Sequence, residues 1–407
     1  MLYRFVLFLV AFSAITAQAQ YKNDNVKYQT VFMEDLCAAL KNNPGYLILD
    51  VRSKGEYNDT SSSVNYNIGH LKNATNIDIG ELDKRLAELK DVKDKPVFIY
   101  CSHSQRSRRA STLLADSGFS KIFNINGGLT AFNLLKETGI PCSSVFYETN
   151  NQYKLISPLN LTDFLKKEKE LFILDVRKDS VFNGVSSDEK LNAYGKLKNA
   201  VNIPFAALAN SLQQVPKNKS ILIVDDFGSE APKAAQVLLN NGYTNIHVLF
   251  NGMDMWNSLP AAELPEKNKY WNTNAGYKMI NADEFDELAK KNKDMLILDV
   301  RIAEEFNNLS KTTWRNRGNI KNAKNIPSGE LASRLNEIGA YKDKPIIIYH
   351  FSSGTEAFAS AKMLTEKGFT NVHVLVGGIW NLRWRAANIK DKAYLEKWVE
   401  NVPAENL

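Results

Sequence analysis

The chain of 407 residues contains three copies of one unit, and this repeat restricts the possible folds more than any other feature of the sequence. Each copy carries a Leu-Asp-Val-Arg segment, and the segments recur at intervals of about 125 residues. A later Gly-x-x-Lys-Asn-Ala segment also recurs, beginning at Gly69, Gly195 and Gly318. Several coincidences in one register predict three domains built on the same plan.

The repeat also sets the domain boundaries. A chain of this length with 44% hydrophobic residues exceeds one ordinary core. We predict a signal peptide at residues 1–19 and three domains at residues 20–147, 148–270 and 271–407. The connecting stretches Pro141–Asn151 and Pro265–Asn274 are short and lack apolar periodicity, which favours domains packed against each other.

The amino terminus has the pattern of an export signal. Arg4 precedes an apolar run at residues 5–15, and Ala17-Gln18-Ala19 has the small-x-small form of a cleavage site. An uncleaved anchor is the alternative, but the apolar run is shorter than the roughly 20 residues that span a bilayer. The sequence therefore predicts a product that is soluble after cleavage and is periplasmic or secreted.

Each unit has the pattern of a small α/β domain. Continuous apolar runs such as Val97–Tyr100, Ile221–Val224 and Ile346–Tyr349 are typical of strands buried on both faces. We predict that each copy opens with an amphipathic helix, whose core face in the first copy comprises Val31, Leu36, Ala39 and Leu40. The predicted fold is three tandem doubly wound, mostly parallel sheets with helices on both faces.

One loop of the first copy combines residues suited to covalent chemistry. Cys101 follows the strand that ends at Tyr100, and a helix is predicted from Arg108 to Ser117. Backbone N–H groups and the positive end of a helix dipole meet at such a junction and stabilise anions. This position favours the reactive thiolate of Cys101 as a nucleophile.

The first copy resembles the rhodanese superfamily of sulfurtransferases. The resemblance is carried by five segments in the family's order and spacing: Asp50-Val51-Arg52, Glu56-Tyr57, Gly69-His70-Leu71, the Cys101–Ser107 loop and Gly127-Gly128. It implies that Cys101 carries a sulfane sulfur as a persulfide in two-step covalent catalysis. The loop residues implied to bind substrate or persulfide are Ser102, His103, Ser104, Gln105, Arg106 and Ser107.

The resemblance also limits the chemistry and the partners. Related phosphatases have a loop one residue longer. The shorter sequence spacing here, with Arg106 five positions after Cys101, disfavours phosphatase or arsenate reductase activity. The implied partners are a small anionic donor, such as thiosulfate, polysulfide or a persulfide, and a thiol, protein thiol or cyanide acceptor. Glu56 stands where thiosulfate-using two-domain members have a basic residue, which argues against thiosulfate.

The composition implies few other partners. The net charge of +6 is spread over the chain without a basic block, so nucleic acid is not an expected partner. No metal or organic cofactor is implied, since no cluster of Cys, His and carboxylate has ligand spacing. The sequence leaves the identity of the donor and acceptor and the oligomeric state open.

The second and third copies lack the nucleophile. Asp225 and His350 stand at the position of Cys101, and Glu230 stands at the position of Arg106 in the second copy. We therefore predict two inactive domains that provide packing, a pocket wall or a partner surface. The alternative is a non-catalytic binding or scaffold protein of the cell envelope, in which Cys101 is a remnant.

Two repeated features are predicted to be structural. The Leu-Asp-Val-Arg segments persist in copies without cysteine, so Asp50 and Arg52 are expected to hold the strand end and loop together. The aromatic residues after the glycine turn are interpreted as one equivalent position packed in the core. These residues are Phe132, Trp256 and Trp380.

The remaining two cysteines allow two interpretations. Cys37 and Cys142 fall at positions that are polar in the other copies, so core packing does not explain them. An exported compartment permits a disulfide between them, which would fasten the first helix to the end of the domain. The alternative is that one of them acts as a resolving thiol toward Cys101 in a redox relay.

Overall fold

The computed structural model describes residues 27–403. The predicted signal peptide, residues 1–19, lies outside the described residues. Within residues 27–403, no helix combines the length and the apolar character that crossing a membrane requires.

Three consecutive modules share one order of elements. In the first module the strands and helices are β1 Gln29–Phe32, α1 Leu36–Asn42, β2 Leu47–Asp50, α2 Lys54–Tyr57, β3 His70–Leu71, β4 Thr75–Asn76, β5 Val97–Tyr100, α3 Gln105–Asp116, β6 Ile122–Asn126, α4 Gly128–Leu135, α5 Ser143–Phe146 and β7 Tyr147–Glu148. Short 3-10 helices cover Met33–Asp35, Val64–Tyr66 and Leu82–Val92.

The second module follows the same plan. Its elements are β8 Lys154–Ile156, α6 Leu161–Lys167, β9 Leu171–Asp175, α7 Asp179–Phe182, α8 Glu189–Ala193, β10 Lys196–Leu197, β11 Val201–Asn202, α9 Phe205–Leu208, β12 Ser220–Val224, α10 Ala231–Asn240, β13 Ile246–Leu249, α11 Gly252–Ser258, α12 Lys267–Tyr270 and β14 Trp271–Asn272. Its 3-10 helices are Pro158–Asn160, Leu212–Gln214 and Ala261–Glu263.

The third module ends the described chain. Its elements are β15 Lys278–Ile280, α13 Ala282–Lys291, β16 Leu296–Asp299, α14 Ala303–Phe306, β17 Asn319–Ile320, β18 Lys324–Asn325, α15 Ser328–Leu331, β19 Ile346–Tyr349, α16 Thr355–Glu366, β20 Val372–Leu375, α17 Gly378–Asn388 and β21 Val399–Glu400. Its 3-10 helices are Thr313–Arg315, Leu335–Tyr341 and Ala393–Trp398.

Each module is built on a five-stranded parallel sheet. The strand order is β1-β6-β5-β2-β4 in the first module, β8-β13-β12-β9-β11 in the second and β15-β20-β19-β16-β18 in the third. In the first sheet Asp50 at the end of β2 pairs with Tyr100 at the end of β5. The central strand β5 therefore delivers Cys101 to the carboxyl edge of the sheet, where open α/β sheets bind ligands.

A two-stranded antiparallel ribbon closes each module. The third strand of each module pairs with its last strand, in the pairs β3·β7, β10·β14 and β17·β21. Strand β14 begins at Trp271, after the boundary predicted at residue 270, and it pairs with β10 of the second module. The last strand of each module is thus paired with a strand of the same module before the chain leaves it.

The opening segment differs from the predicted amphipathic helix. Val31 lies in strand β1, which pairs in parallel with β6, and helix α1 starts only at Leu36. Leu36 and Leu40 are buried in the core, as expected of the helix face. The pattern failed at Val31 because an edge strand running directly into a helix gives too few residues for either period to show.

The aromatic position after the glycine turn is the second correction. Phe132 and Trp256 are fully buried, but Trp380 is 43% exposed. The glycine turns place Leu382, not Trp380, at the equivalent core position, and Leu382 is fully buried. The Gly-Gly turn of the third module lies two residues later than the constant spacing of Phe132, Trp256 and Trp380 assumes, so the prediction selected a residue two positions too early.

Buried ion pairs fix the turn beside each sheet. In the first module Arg52 donates to both carboxylate oxygens of Asp50, with Nη2 2.7 Å from Oδ2, and to the carbonyl oxygen of Gly69 at 2.8 Å. Neither Asp50 nor Arg52 is exposed. Asp175–Arg177 and Asp299–Arg301 repeat the arrangement. The pair joins the strand end to the Gly-x-x-Lys-Asn-Ala segment, as its predicted structural role requires.

The modules are packed against each other. The Asn126 amide donates to the Ala387 carbonyl oxygen at 2.7 Å, which joins the first module to the third. The Ser157 hydroxyl donates to the Leu134 carbonyl oxygen at 2.6 Å, joining the first to the second. One continuous apolar cluster includes residues of the second and third modules. The connections therefore bring the carboxyl edges of three sheets toward one region.

A disulfide joins Cys37 in α1 to Cys142, just before α5, with a Cα–Cα distance of 5.9 Å. The Cys142 amide also donates to the Cys37 sulfur at 3.1 Å. The bond fastens the first helix of the module to its exit segment. While this disulfide is intact, neither Cys37 nor Cys142 has a thiol that could react with Cys101. Cys101 is the free cysteine of the described chain.

Candidate active site

The Cys101 loop, residues 101–107, lies at the junction between the central strand β5 and helix α3. Cys101 is 1% exposed and packs with apolar neighbours of the sheet. The chain turns into the helix at Ser104, whose φ of +80° lies in the left-handed region. A serine can hold this conformation when its side chain is fixed by local hydrogen bonds.

Two backbone hydrogen bonds hold the outer half of the loop against α4. The Leu129 amide donates to the Cys101 carbonyl oxygen and the Thr130 amide donates to the Ser102 carbonyl oxygen, each at 3.0 Å. Gly128 allows this approach, because a Cβ at its position would lie 2.2 Å from the Cys101 oxygen and its φ is +55°. The Gly-Gly segment therefore fixes the loop by close backbone contact.

Two asparagines of β6 hold the inner half of the loop. The Ser107 hydroxyl donates to Asn124 at 2.7 Å, and the Ser104 hydroxyl lies 3.1 Å from the Asn126 side-chain oxygen. Sequence analysis missed both asparagines. A signal was present, because the equivalent positions in the other modules are apolar, Val248 and Phe250 in the second and Val374 and Val376 in the third.

Arg106, which is predicted to bind substrate or persulfide, forms an ion pair with Glu56. Its guanidinium donates to both carboxylate oxygens of Glu56, at 2.6 and 2.7 Å, and to the Ser102 hydroxyl at 3.0 Å. Burial acts to raise the pKa of Glu56, but the hydrogen bonds and charge of Arg106 lower it below its ordinary value. Much of the positive charge expected to attract an anionic donor is therefore neutralised within the site.

His103 faces away from this ion pair. Its Nε2 lies 3.0 Å from the Thr130 hydroxyl, and the ring meets the Tyr66 ring edge to face with centroids 6.0 Å apart. Burial, followed by the charge of Arg106, lowers the pKa of His103 to about 4. The imidazole is thus neutral near pH 7 and contributes no positive charge for an anionic donor.

An open pocket of about 450 Å³ lies in front of Cys101. Of the described residues that line it, only Arg106 carries a positive charge near pH 7. Gln105, the first residue of α3, lies at its exposed rim. The lining comprises Ser53, Glu56, Ser61, Ser63, Tyr66, Cys101, Ser102, His103, Gln105 and Arg106. Below, this space is called the Cys101 pocket.

The sequence profile of the rhodanese-like domain matches the chain three times, at residues 33–135, 157–259 and 281–383. These segments cover most of the chain and coincide with the three parallel sheets. The chain belongs to the rhodanese family. It is a tandem array of three rhodanese-like domains, and proteins of this family are broadly sulfur-transferring enzymes.

Individual relatives match single parts of this rhodanese array. The protein YqhL of Bacillus subtilis is 36% identical over 81 residues, which are 20% of this chain and 56% of YqhL. The tRNA uridine(34) hydroxylase of an Enterobacter species is 29% identical over 108 residues, 25% of this chain and 28% of that enzyme. The chain therefore spans about half or less of the relatives it matches.

Solved structures resemble the chain only at low overall similarity. A thiosulfate sulfurtransferase from Pseudomonas aeruginosa is 17% identical in an alignment that covers 85% of this chain and 66% of that one, with a TM-score of 0.23.

The second rhodanese-like domain has a carboxyl group where the first has its thiol. The Asp225 carboxylate accepts hydrogen bonds from the amides of Gly228 and Glu230, both at 2.7 Å, and of Ala231 at 2.9 Å. Burial raises the pKa of Asp225, and the backbone donors act in the opposite direction. The Asp225 carboxyl group therefore occupies the position that an external anion would take in this loop.

The third rhodanese-like domain has rearranged its loop. His350 replaces the cysteine, and its Nε2 lies 4.0 Å from the Glu356 carboxylate. Arg315 pairs with buried Glu305, with its Nε 2.5 Å from Oε1, in place of the arginine missing from the loop. Across residues 27–403, no group of three or more His, Cys, Asp or Glu side chains is placed to hold a metal ion.

Proposed function

We propose that this protein is a sulfurtransferase in which Cys101 carries the sulfur. The Cys101 thiolate attacks a sulfane sulfur of the donor, forms a new S–S bond and expels the remainder of the donor with the electron pair. An acceptor thiolate or cyanide then attacks the outer sulfur and returns the electron pair to Cys101. Both steps are nucleophilic displacements at sulfur, so no external oxidant or reductant is needed.

The observation that carries this proposal is the occupied cradle of the second domain. Asp225 and Cys101 stand at the same position, and both loops reach the glycine of the following turn, Gly242 or Gly118, after the same number of residues. The amides equivalent to the three donors of Asp225 are those of Ser104, Arg106 and Ser107. A loop of this length directs backbone N–H groups at the side chain in its first position, and the same arrangement around Cys101 supports a persulfide there.

The electrostatics of the Cys101 pocket support a donor of low charge. Glu56 faces the pocket beside Arg106 and engages both of its terminal nitrogens. A dianion such as thiosulfate would be repelled by this carboxylate. A hydropolysulfide or an organic persulfide carries at most one negative charge and would be repelled less. We therefore place polysulfide or persulfide ahead of thiosulfate as donor.

An exported location is part of the proposal. The pattern at residues 1–19 is that of a signal peptide, and the disulfide between Cys37 and Cys142 suits an oxidising compartment such as the periplasm or the cell exterior. A thiol or a protein thiol in that compartment is the proposed acceptor.

Intact-mass analysis tests the sulfur-carrying step. Wild-type protein incubated with polysulfide should gain roughly 32 Da, one sulfur atom, and lose it on addition of cyanide. Cys101→Ala should gain nothing, because the nucleophile is absent.

Two results would reject the proposal. One is a wild-type protein that acquires no cyanide-sensitive sulfur from either thiosulfate or polysulfide, which would favour the scaffold hypothesis. The other is an adduct of equal size on the Cys101→Ala variant, which would move the chemistry away from Cys101.

The donor preference gives a second prediction, at Glu56. Glu56→Gln keeps the size of the side chain and an acceptor for the Ser53 amide but removes the negative charge. We expect its rate of loading by thiosulfate, relative to loading by polysulfide, to rise roughly threefold or more. Glu81→Gln, an exposed carboxylate paired with Arg85 on another surface, is the matched control. An unchanged ratio would show that Glu56 does not set the donor preference.

A further inference from the structure

A second cavity, of about 440 Å³, lies where the three domains meet, and we call it the central cavity. All three modules contribute to its wall. It shares two lining residues, Tyr66 and His103, with the Cys101 pocket. The two spaces are therefore neighbours, separated by the edge-to-face contact of these rings.

Equivalent positions of the three domains surround the central cavity. The first turn of the helix after the glycine turn supplies Thr130, Asp254 and Trp380. In the third domain this position is a tryptophan that is 43% exposed, although Leu382 fills the core below it. Core packing therefore does not account for Trp380.

The third domain gives the cavity an aromatic wall. Trp380 and Trp384 lie nearly parallel, with ring centroids 6.4 Å apart and planes inclined by 14°. Phe227, 42% exposed, lines the same cavity from the second domain. Large aromatic faces that are left accessible inside a cavity favour planar, apolar ligands.

The charges of the cavity favour an anionic group on that ligand. The Lys190 ammonium lies over the Phe227 ring, 4.7 Å from its centroid. Arg385, a second cation of the lining, is paired with Asp283 at 2.6 Å. Asp254 accepts a hydrogen bond from the Tyr194 hydroxyl. Burial raises the pKa of its carboxyl group, against the opposing effects of that hydrogen bond and of the nearby Lys190 charge. Lys190 is thus the cation placed to attract a carboxylate.

We propose that the central cavity binds the sulfur acceptor, and that this acceptor is a small aromatic thiol bearing a carboxylate. The proposal rests on the proposed function. The ring packs on Trp380, the carboxylate pairs with Lys190, and the thiolate extends past Tyr66 and His103 to the Cys101 persulfide. The S–S bond of the persulfide breaks, a new S–S bond forms on the acceptor, and the electron pair returns to the Cys101 sulfur.

Single-turnover transfer from Cys101 persulfide, loaded with polysulfide, tests this assignment. The acceptors are 4-mercaptobenzoate, 4-methylbenzenethiol, 3-mercaptopropionate and cyanide. Each variant rate is first divided by the wild-type rate for the same acceptor, which cancels differences in the intrinsic reactivity of the acceptors. The result is then divided by the corresponding ratio for cyanide, which cancels any general change in the reactivity of the persulfide. Trp314→Ala is the matched control, because Trp314 is 53% exposed and lies outside the cavity lining.

We expect Trp380→Ala to lower the normalised rate for both aromatic thiols by at least about fivefold. Trp380→Phe should restore part of it, and 3-mercaptopropionate should be affected less. Lys190→Gln should lower the rate for 4-mercaptobenzoate about threefold or more but not that for 4-methylbenzenethiol.

Four outcomes overturn the assignment while leaving the persulfide intact. They are equal ratios for Trp380→Ala and Trp314→Ala, equal losses for aromatic and aliphatic thiols, no dependence on Lys190, and an effect of Trp380→Ala on polysulfide loading in place of transfer. Failure of the wild-type protein to load any sulfur is a separate result, which rejects the proposed function itself.

Discussion

Replacing Asp299 by alanine is expected to lower the free energy of unfolding of the third domain by about 3–5 kcal/mol. Arg301 is fully buried and donates to Asp299 through Nε and Nη2, the latter at 2.6 Å. Without the carboxylate its charge remains in the interior with the Gly318 carbonyl oxygen, 2.9 Å away, as its main partner. Urea unfolding followed by tryptophan fluorescence measures the loss.

The controls separate charge burial from a general effect of substitution. Asp294→Ala removes a carboxylate that is 88% exposed and 3.9 Å from Lys344, and should cost less than about 1 kcal/mol. Asp299→Ala combined with Arg301→Met should recover part of the loss, because no unpaired charge remains. Folded Asp299→Ala protein should still load sulfur on Cys101. A loss below about 1 kcal/mol for Asp299→Ala would contradict the structural role of the pair.

Removing the disulfide should give the second large effect. The double substitution Cys37→Ala and Cys142→Ala is expected to lower the stability of the first domain by about 2–5 kcal/mol, since the bond closes a long loop of the unfolded chain. The two cysteines are 105 residues apart in sequence. Thermal unfolding with and without dithiothreitol measures the effect: the wild-type transition should shift, and that of the double variant should not.

Cys101→Ala serves as the control. Dithiothreitol should shift its thermal unfolding transition as much as that of the wild-type protein, because its disulfide is intact. The double variant should also load sulfur from polysulfide at the wild-type rate, since neither Cys37 nor Cys142 lines the Cys101 pocket. The redox-relay hypothesis predicts a different result. In Cys37→Ala loaded with polysulfide, the freed Cys142 thiolate would attack the inner sulfur of the Cys101 persulfide and expel hydrosulfide. The resulting disulfide between Cys101 and Cys142 would appear in non-reducing peptide maps.

The fold was predictable because its signals are local and occur three times. The strands at Val97–Tyr100 and Ile346–Tyr349 match the predicted runs residue for residue. The buried Asp–Arg pairs were also deducible, since they persist in domains without the nucleophile. Val31 was misplaced because a four-residue edge strand leaves almost no period to detect.

The site was predictable only in part, because its electrostatics depend on contacts between distant segments. Cys101 and its loop were identified from their order along the chain. The pairing of Arg106 with Glu56 joins residues 50 positions apart, and no local pattern reports it. Trp380 was assigned to the core because the glycine turn of the third copy lies two residues later than a constant spacing assumes. The convergence of three domains on one cavity has no signature in a single unit.

The central cavity also has a consequence for biogenesis. A chain synthesised from its amino end completes the Cys101 loop as soon as the first domain has emerged from the ribosome. The aromatic wall of the cavity is carried by α17, close to the carboxyl end. During that interval the nucleophile exists without the chamber beside it, and an incomplete chain would present Cys101 to solvent thiols indiscriminately. Truncated products are therefore expected to differ from the finished protein in selectivity as well as in stability.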